Sequence, residues 1–378
     1  MKFAAGGLSS GATALSHTLA RWFPTPAMIY PRAAGIDISD ASVKWLVLEP
    51  YKSRYRIESY GEIPIESGAV VNGIIKDVGA LAHALVEMKK HLGGIECAHA
   101  ALPEEAAYVF EMHVPEGTNH DQAISMIEFG FEGRVPIAPS AAVFDFDVIQ
   151  KHDESAGEDI GVAVFSRELA ESYVAAFEAA NIRLLSLELE ARSIARTISS
   201  DAPDEPVTLL VDFGRARTGF AVLKRGIPIF TSTVEVGGDM ITSTIVEKLS
   251  LSPEETQIFK NEQGLFPDAG AKSPGMEAIV GTASALADEV ARHYHYWDTR
   301  RNEKGERMTP VGRIVLVGGS ANLKGLPDYI AGRVQAPTEV ANIWQHVCNF
   351  DEYIPPLDSR ESLRYATAAG LALQSLSL

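Results

Sequence analysis

The chain has 378 residues, 46% of them hydrophobic and 22% charged, which is enough apolar material for two or three domains with full cores. Its formal net charge of -17 repels polyanions and sets nucleic acid and bare anionic lipid aside as partners. Two cysteines, Cys97 and Cys348, are too few for a disulfide framework and form no CxxC pair, as expected of a reducing compartment.

Residues 1–32 hold no continuous apolar run of signal-peptide length, and no window of about 20 apolar residues occurs anywhere, so no direct membrane span is expected. This stretch reads as a flexible leader, with one short amphipathic segment at Leu15–Phe23 ended by Pro24. Folding signals begin at Ala33. Strands are expected at Gly35–Ser39, Val43–Leu48 and Arg54–Ser59, followed by a helix at Val78–His91 with apolar spacing of three and four. From 96 to 150 the texture changes: strands at Ala98–Leu102, Tyr108–His113 and Val143–Ile149 surround a helix at Asn119–Gly130. We read this stretch as a small inserted α+β subdomain. The pattern of the first lobe (33–95 plus 151–200) then resumes with a strand Gly161–Phe165, a helix Arg167–Ala180, a strand Arg183–Leu187 and a helix Glu190–Ser199.

A second lobe is expected over 201–378. It opens with strands Val207–Asp212, Thr218–Lys224 and Ile227–Thr233. Its upper part, at about 238–300, carries helices at Met240–Ser250, Pro253–Glu262 and Met276–Arg300. A strand Arg313–Val317, a Gly-rich turn, a helix and a last helix near Leu363–Ser375 complete it. The two lobes open alike, GIDISDASVKWLVLE against VDFGRARTGFAVLKRG, each with an apolar strand, an Asp near its end, a polar turn and a return strand. That is a signal of internal duplication.

Such a turn aims consecutive N–H groups at one point and makes an anion nest, and small residues let phosphate approach the backbone. Gly214 and Thr218 in the second turn, and Ser39 and Ser42 in the first, are the candidate phosphate contacts. Asp37 and Asp212, just before the turns, suit Mg²⁺, which keeps much of its hydration shell. Gly318, Gly319 and Ser320 follow a strand, and Gly237, Gly238 and Asp239 precede a helix, with Asp239 a candidate N-cap. No GxGxxG and no GxxxxGK[ST] occurs, and DFG at 212–214 stands without the other kinase motifs.

From Ala33 onward these segments resemble the actin/Hsp70-like ATPase superfamily, and within it the PilM proteins of type IV pilus assembly, relatives of FtsA. GIDISDASVKWL is similar to the first phosphate motif, LELEARSIAR to the first connecting segment, VDFGRARTGFAVLKRG to the second phosphate motif, IVLVGGSANLKGL to the adenosine motif and YATAAGLAL to the last connecting helix. The resemblance implies a two-lobed actin-like α/β fold of duplicated ribonuclease H-like domains, with ATP and Mg²⁺ between the lobes. It further implies Asp37 and Asp212 as metal-facing groups, Glu190 as the residue positioning the attacking water, Ser39, Asp40, Ala41, Ser42 and Lys44 in the first motif, and Lys260 near the ribose or base.

Asp40, Arg215 and Arg217 depart from the motifs. Asp40 brings a carboxylate near phosphate, while the arginines offset phosphate charge, with Arg215 expected to be the better placed. The function implied is a cytoplasmic ATP-binding component of a pilus inner-membrane platform, at most a slow ATPase. It would bind the N-terminal tail of a PilN-like membrane protein in a groove beside the inserted subdomain, with self-association left open. A small-molecule kinase of the same fold and an FtsA-like division protein are the alternatives.

Overall fold

The structure, a computed structural model, describes residues 31–151, 157–200, 202, 204–252, 255–256, 258–259, 264–265, 274–301, 305 and 307–376. The leader, Lys260 and most of the helix expected at Pro253–Glu262 lie outside the described residues. The first lobe starts with three antiparallel strands, β1 (Ala33–Ile38), β2 (Ser42–Tyr51) and β3 (Arg54–Pro64), the last running five residues beyond its expected end. A hairpin of two-residue strands, β4 (Val70–Val71) and β5 (Ile74–Ile75), leads to α1 (Val78–Lys89). The Asp77 side chain caps that helix by accepting from the N–H of Ala80 at 2.9 Å. Strand β6 (Cys97–Leu102) then joins β1 in parallel, and all six of its residues are buried.

A separate three-stranded sheet follows. It is built from β7 (Tyr108–Val114), β8 (Ala142–Lys151) and β9 (Glu158–Ser166), with β9 in the middle. Helix α2 (His120–Phe129) covers it and starts with a reciprocal cap between Asn119 and Gln122. Phe110, Ile127, Phe131, Ile160, Val162 and Val164 give this unit a small core of its own. Helix α3 (Arg167–Ala179), strand β10 (Arg183–Leu189) and helix α4 (Glu190–Ile198) return the chain to the first lobe, where β10 pairs parallel to β6.

The second lobe repeats the plan. Strands β11 (Thr208–Phe213), β12 (Thr218–Lys224) and β13 (Ile227–Val234) are antiparallel. After α5 (Gly238–Leu249) and the long α6 (Pro274–Thr299), β14 (Arg313–Val317) adds parallel to β11. Helix α7 (Leu326–Val334) and β15 (Thr338–Val340) complete the sheet. The sheet orders are β3-β2-β1-β6-β10 and β13-β12-β11-β14-β15, the same order in both lobes. The duplication expected from the two openings is thus present in the topology.

Two boundaries differ from expectation. The inserted unit was expected over 96–150, yet β6 belongs to the first-lobe sheet and β9 to the inserted sheet, so the insertion runs from β7 through β9. A strand buried along its whole length, as β6 is, fits between two parallel neighbours. The last helix, α8 (Ala366–Gln374), was expected in the second lobe. It packs instead on α4 and β1, where Gly35 and Gly370 allow backbone-to-backbone approach: a Cβ at Gly35 would lie 2.1 Å from the Ala368 carbonyl oxygen, and one at Gly370 1.8 Å from that of Ser193. The main core is continuous through both lobes.

Candidate functional site

In open α/β sheets ligands gather at the carboxyl ends of the parallel strands. Here β1, β6 and β10 run parallel side by side, so Asp37, Glu104 and Glu190 all emerge at one edge of the first lobe. Lys44 lies directly across β2 from Asp37, on the same face, and its Nζ stands 3.4 Å from Asp37 Oδ2. In the second lobe the residue across from Asp212 is Gly219. Its missing side chain is where Glu104 enters: a Cβ at Gly219 would lie 2.8 Å from Glu104 Oε2. Glu104 is therefore wedged between the lobes, and it accepts a bond from the backbone N–H of Ala191.

Four carboxyls thus share a cleft with one ammonium. Burial pushes Glu104 up to about 8, helped by Asp212. Burial and the nearby Asp37 push Asp212 up to about 6, with Lys44 pulling the other way. Glu190 is raised well above the usual carboxylate range by burial, then by Asp37, Glu104 and Asp212. Among the described residues, no three His, Cys, Asp or Glu side chains converge as a complete metal cage.

The two turns were expected to carry the anion-binding groups. In the first, Ser39 Oγ bonds to the Ser42 carbonyl at 3.1 Å and accepts from the Ser42 N–H at 3.2 Å. The Ser42 hydroxyl donates to Glu62 at 2.6 Å. The serines therefore brace the turn, and their expected role as phosphate ligands is not the one this geometry gives them. The N–H groups of Asp40 and Ala41 donate to no acceptor among the described residues. In the second turn the Gly214 N–H is shared between the carbonyls of Asp212 and Arg217, each at 3.0 Å, and the N–H groups of Arg215 and Ala216 find no acceptor among the described residues. Thr218 is fully buried and gives its hydroxyl to the Val236 carbonyl at 2.5 Å, so it too is structural.

The arginines exchange their expected places. Arg215 is exposed and lies 3.4 Å from Asp239 of its own lobe. Arg217 crosses the cleft and ion-pairs with both Asp40 and Glu105 of the first lobe.

The remaining second-lobe loops converge on the same turn. Gly318 has φ +87, open to glycine and rarely to other residues, and a Cβ there would sit 2.3 Å from Asp212 Oδ1. Ser320 Oγ donates to the Gly214 carbonyl at 3.0 Å, and Gly238 leaves room for that hydroxyl. Gly237, not Asp239, is the N-cap of α5; the Asp239 N–H bonds to the Arg215 carbonyl at 2.8 Å. Gly319 lies under the stem of Arg364, whose guanidinium pairs with Glu62 of the first lobe. The site residues missed from sequence are Glu104 and Glu105. Their signal was position: they follow Pro103 just past a wholly buried strand, which runs parallel to the one that carries Asp37.

The family described as Type IV pilus assembly protein PilM matches residues 35–376. A solved PilM-PilN type IV pilus biogenesis complex aligns with a TM-score of 0.73 at 18% identity, over 92% of this chain and 99% of that one. MreB 5 of Spiroplasma citri bound to AMPPNP aligns with a TM-score of 0.50 at 12% identity, over 92% and 96% of the two chains. The cell division protein FtsA of Streptococcus pneumoniae serotype 2 is 23% identical over 162 residues, which are 40% of this chain and 35% of FtsA, so the chain spans about a third of that relative's length. The structural likenesses carry the fold, which is the two-lobed actin-like one. By the extent of the family match, this chain belongs to the PilM family of type IV pilus assembly proteins.

Proposed function

We propose that the chain is a nucleotide-binding component of a type IV pilus inner-membrane platform, holding Mg-ATP between its lobes and turning it over slowly or not at all. One observation carries the reading: two facing turns present unbonded N–H groups at Asp40–Ala41 and Arg215–Ala216, with Asp37 and Asp212 directly before them. Bound Mg²⁺ would supply positive charge among the carboxyls and polarise phosphate. Asp37 and Asp212 would hold it, mostly through water. Lys44 would balance Asp37 and neutralise phosphate charge, Gly318 would let ligand lie against the backbone, and Glu190 would orient water.

In the same reading, the insertion β7–β9 borders a groove for the short N-terminal tail of a PilN-like membrane protein. Contact with the inner membrane would then pass through that partner from a cytoplasmic position. Among the described residues no helix is long and apolar enough to cross a membrane. The test is calorimetric titration with Mg-ATP. Wild-type protein should bind, and Asp212→Ala should bind at least about tenfold more weakly, a loss of about 1.4 kcal/mol. Equal affinity in the two proteins would overturn the site.

A further inference from the structure

The ion pairs of Arg217 join the two turns directly, and the groups involved are held from behind. Asp40 accepts from the N–H groups of Asn72 at 3.1 Å and Gly73 at 3.0 Å, so its carboxylate is fixed to the β4–β5 hairpin. That hairpin is pinned in turn by the buried Tyr173 hydroxyl, which donates to the Gly73 carbonyl at 2.8 Å. Gly73 also lies against Pro103 and close to Glu105, where a Cβ would come within 2.2 Å and 3.4 Å. On the other lobe the Arg217 backbone is tied into the turn through its carbonyl. Two braced turns are thus bridged by one side chain.

We propose that Arg217, with Asp40 and Glu105, is an interlobe latch that keeps the two turns together when no nucleotide lies between them and sets how fast a nucleoside triphosphate enters. The Arg217 side chain is only 22% exposed, and Asp40 and Glu105 are 32% and 23% exposed. The bridge is therefore better shielded than a surface pair, whose contribution is usually small. One guanidinium between two carboxylates is a fork already committed. A triphosphate brings more charge than either carboxylate and suits the same bidentate geometry, so it competes for Arg217 rather than finding it idle. Opening the latch is then the step before entry. The identity of the ligand rests on the nucleotide-binding reading above; the latch itself does not.

Hydrogen exchange on the nucleotide-free protein tests the latch. Arg217→Gln should speed exchange at the amides of Asn72 and Gly73 by about 5- to 30-fold, the range that a loss of one or two kcal/mol produces. Glu105→Gln should do so less, and the double variant no more than Arg217→Gln alone, because both act on one bridge. Entry of a fluorescent ATP analogue should accelerate in the same order. Unchanged exchange in Arg217→Gln, or strictly additive effects in the double variant, would overturn the latch. If wild-type protein binds no nucleotide while exchange rises as stated, the nucleotide reading falls and the latch stands. If nucleotide binds and neither exchange nor entry changes, the reverse holds.

Discussion

Glu104 is a carboxyl held among carboxyls, and its ionisation opposes the fold. Its folded value of about 8 lies above the ordinary 4.5. A group raised in this way costs nothing below its unfolded value, and its cost grows as pH climbs through the folded one. Metal-free, nucleotide-free protein should therefore lose stability between about pH 5 and pH 8.5. Glu104→Gln should flatten that slope and recover about 1–3 kcal/mol at the alkaline end, read by denaturant titration at several pH values. An unaltered slope would mean that Glu104 is solvated. Gly318 gives a second residue-scale prediction. Gly318→Ala puts a methyl group on the Asp212 carboxylate and forces a left-handed backbone, so it should cost about 1–3 kcal/mol. It should also abolish Mg-ATP binding. Neither residue's surroundings were readable from spacing alone, because each depends on a neighbour from a distant part of the chain.

At the scale of elements the sequence was mostly legible. Thr218–Lys224 and Arg313–Val317 match their expected bounds, because polar turns and glycines delimit short apolar runs. Sheet membership was not legible. Whether β6 or β9 belongs to the insertion depends on which strands flank it, and that is a long-range fact. The junction of the inserted sheet with the second lobe is equally non-local. Lys224 of β12 reaches Glu111 of β7 at 2.6 Å and Asp159 of β9 at 3.5 Å, and a Cβ at Gly161 would lie 2.6 Å from Ile227. Lys224→Met leaves two carboxylates facing each other in a half-buried junction. It should cost about 1–3 kcal/mol and raise protease sensitivity in β7–β9 before global unfolding. Simultaneous loss of all regions at the wild-type midpoint would count against that.

For the whole molecule, the common sheet order of the lobes makes the cleft a meeting of two related edges, with Lys44 in one copy where Gly219 stands in the other. That exchange puts the ammonium in the first lobe only, and the four carboxyls around it leave the cleft with an acidic excess that Mg²⁺ would answer. Mg-ATP at about 100 times its dissociation constant should add about 2.7 kcal/mol to unfolding stability, while ATP with chelator should add far less. Equal stabilisation with and without the metal would remove Mg²⁺ from the site. The return of α8 to β1 and α4 has a consequence for synthesis on the ribosome. The first lobe is begun by the earliest described residues and finished by almost the last, so one face of its sheet stays uncovered, with the groove at Gly35 open, until the second lobe has been made. Domains generally fold as they emerge, but here the first lobe has all its strands by Leu189 and still lacks its last helix until the second lobe has been made. Nascent chains stalled before Ala366 should hold a folded second lobe beside a protease-sensitive first one, and adding a peptide of residues 359–376 in trans should close it.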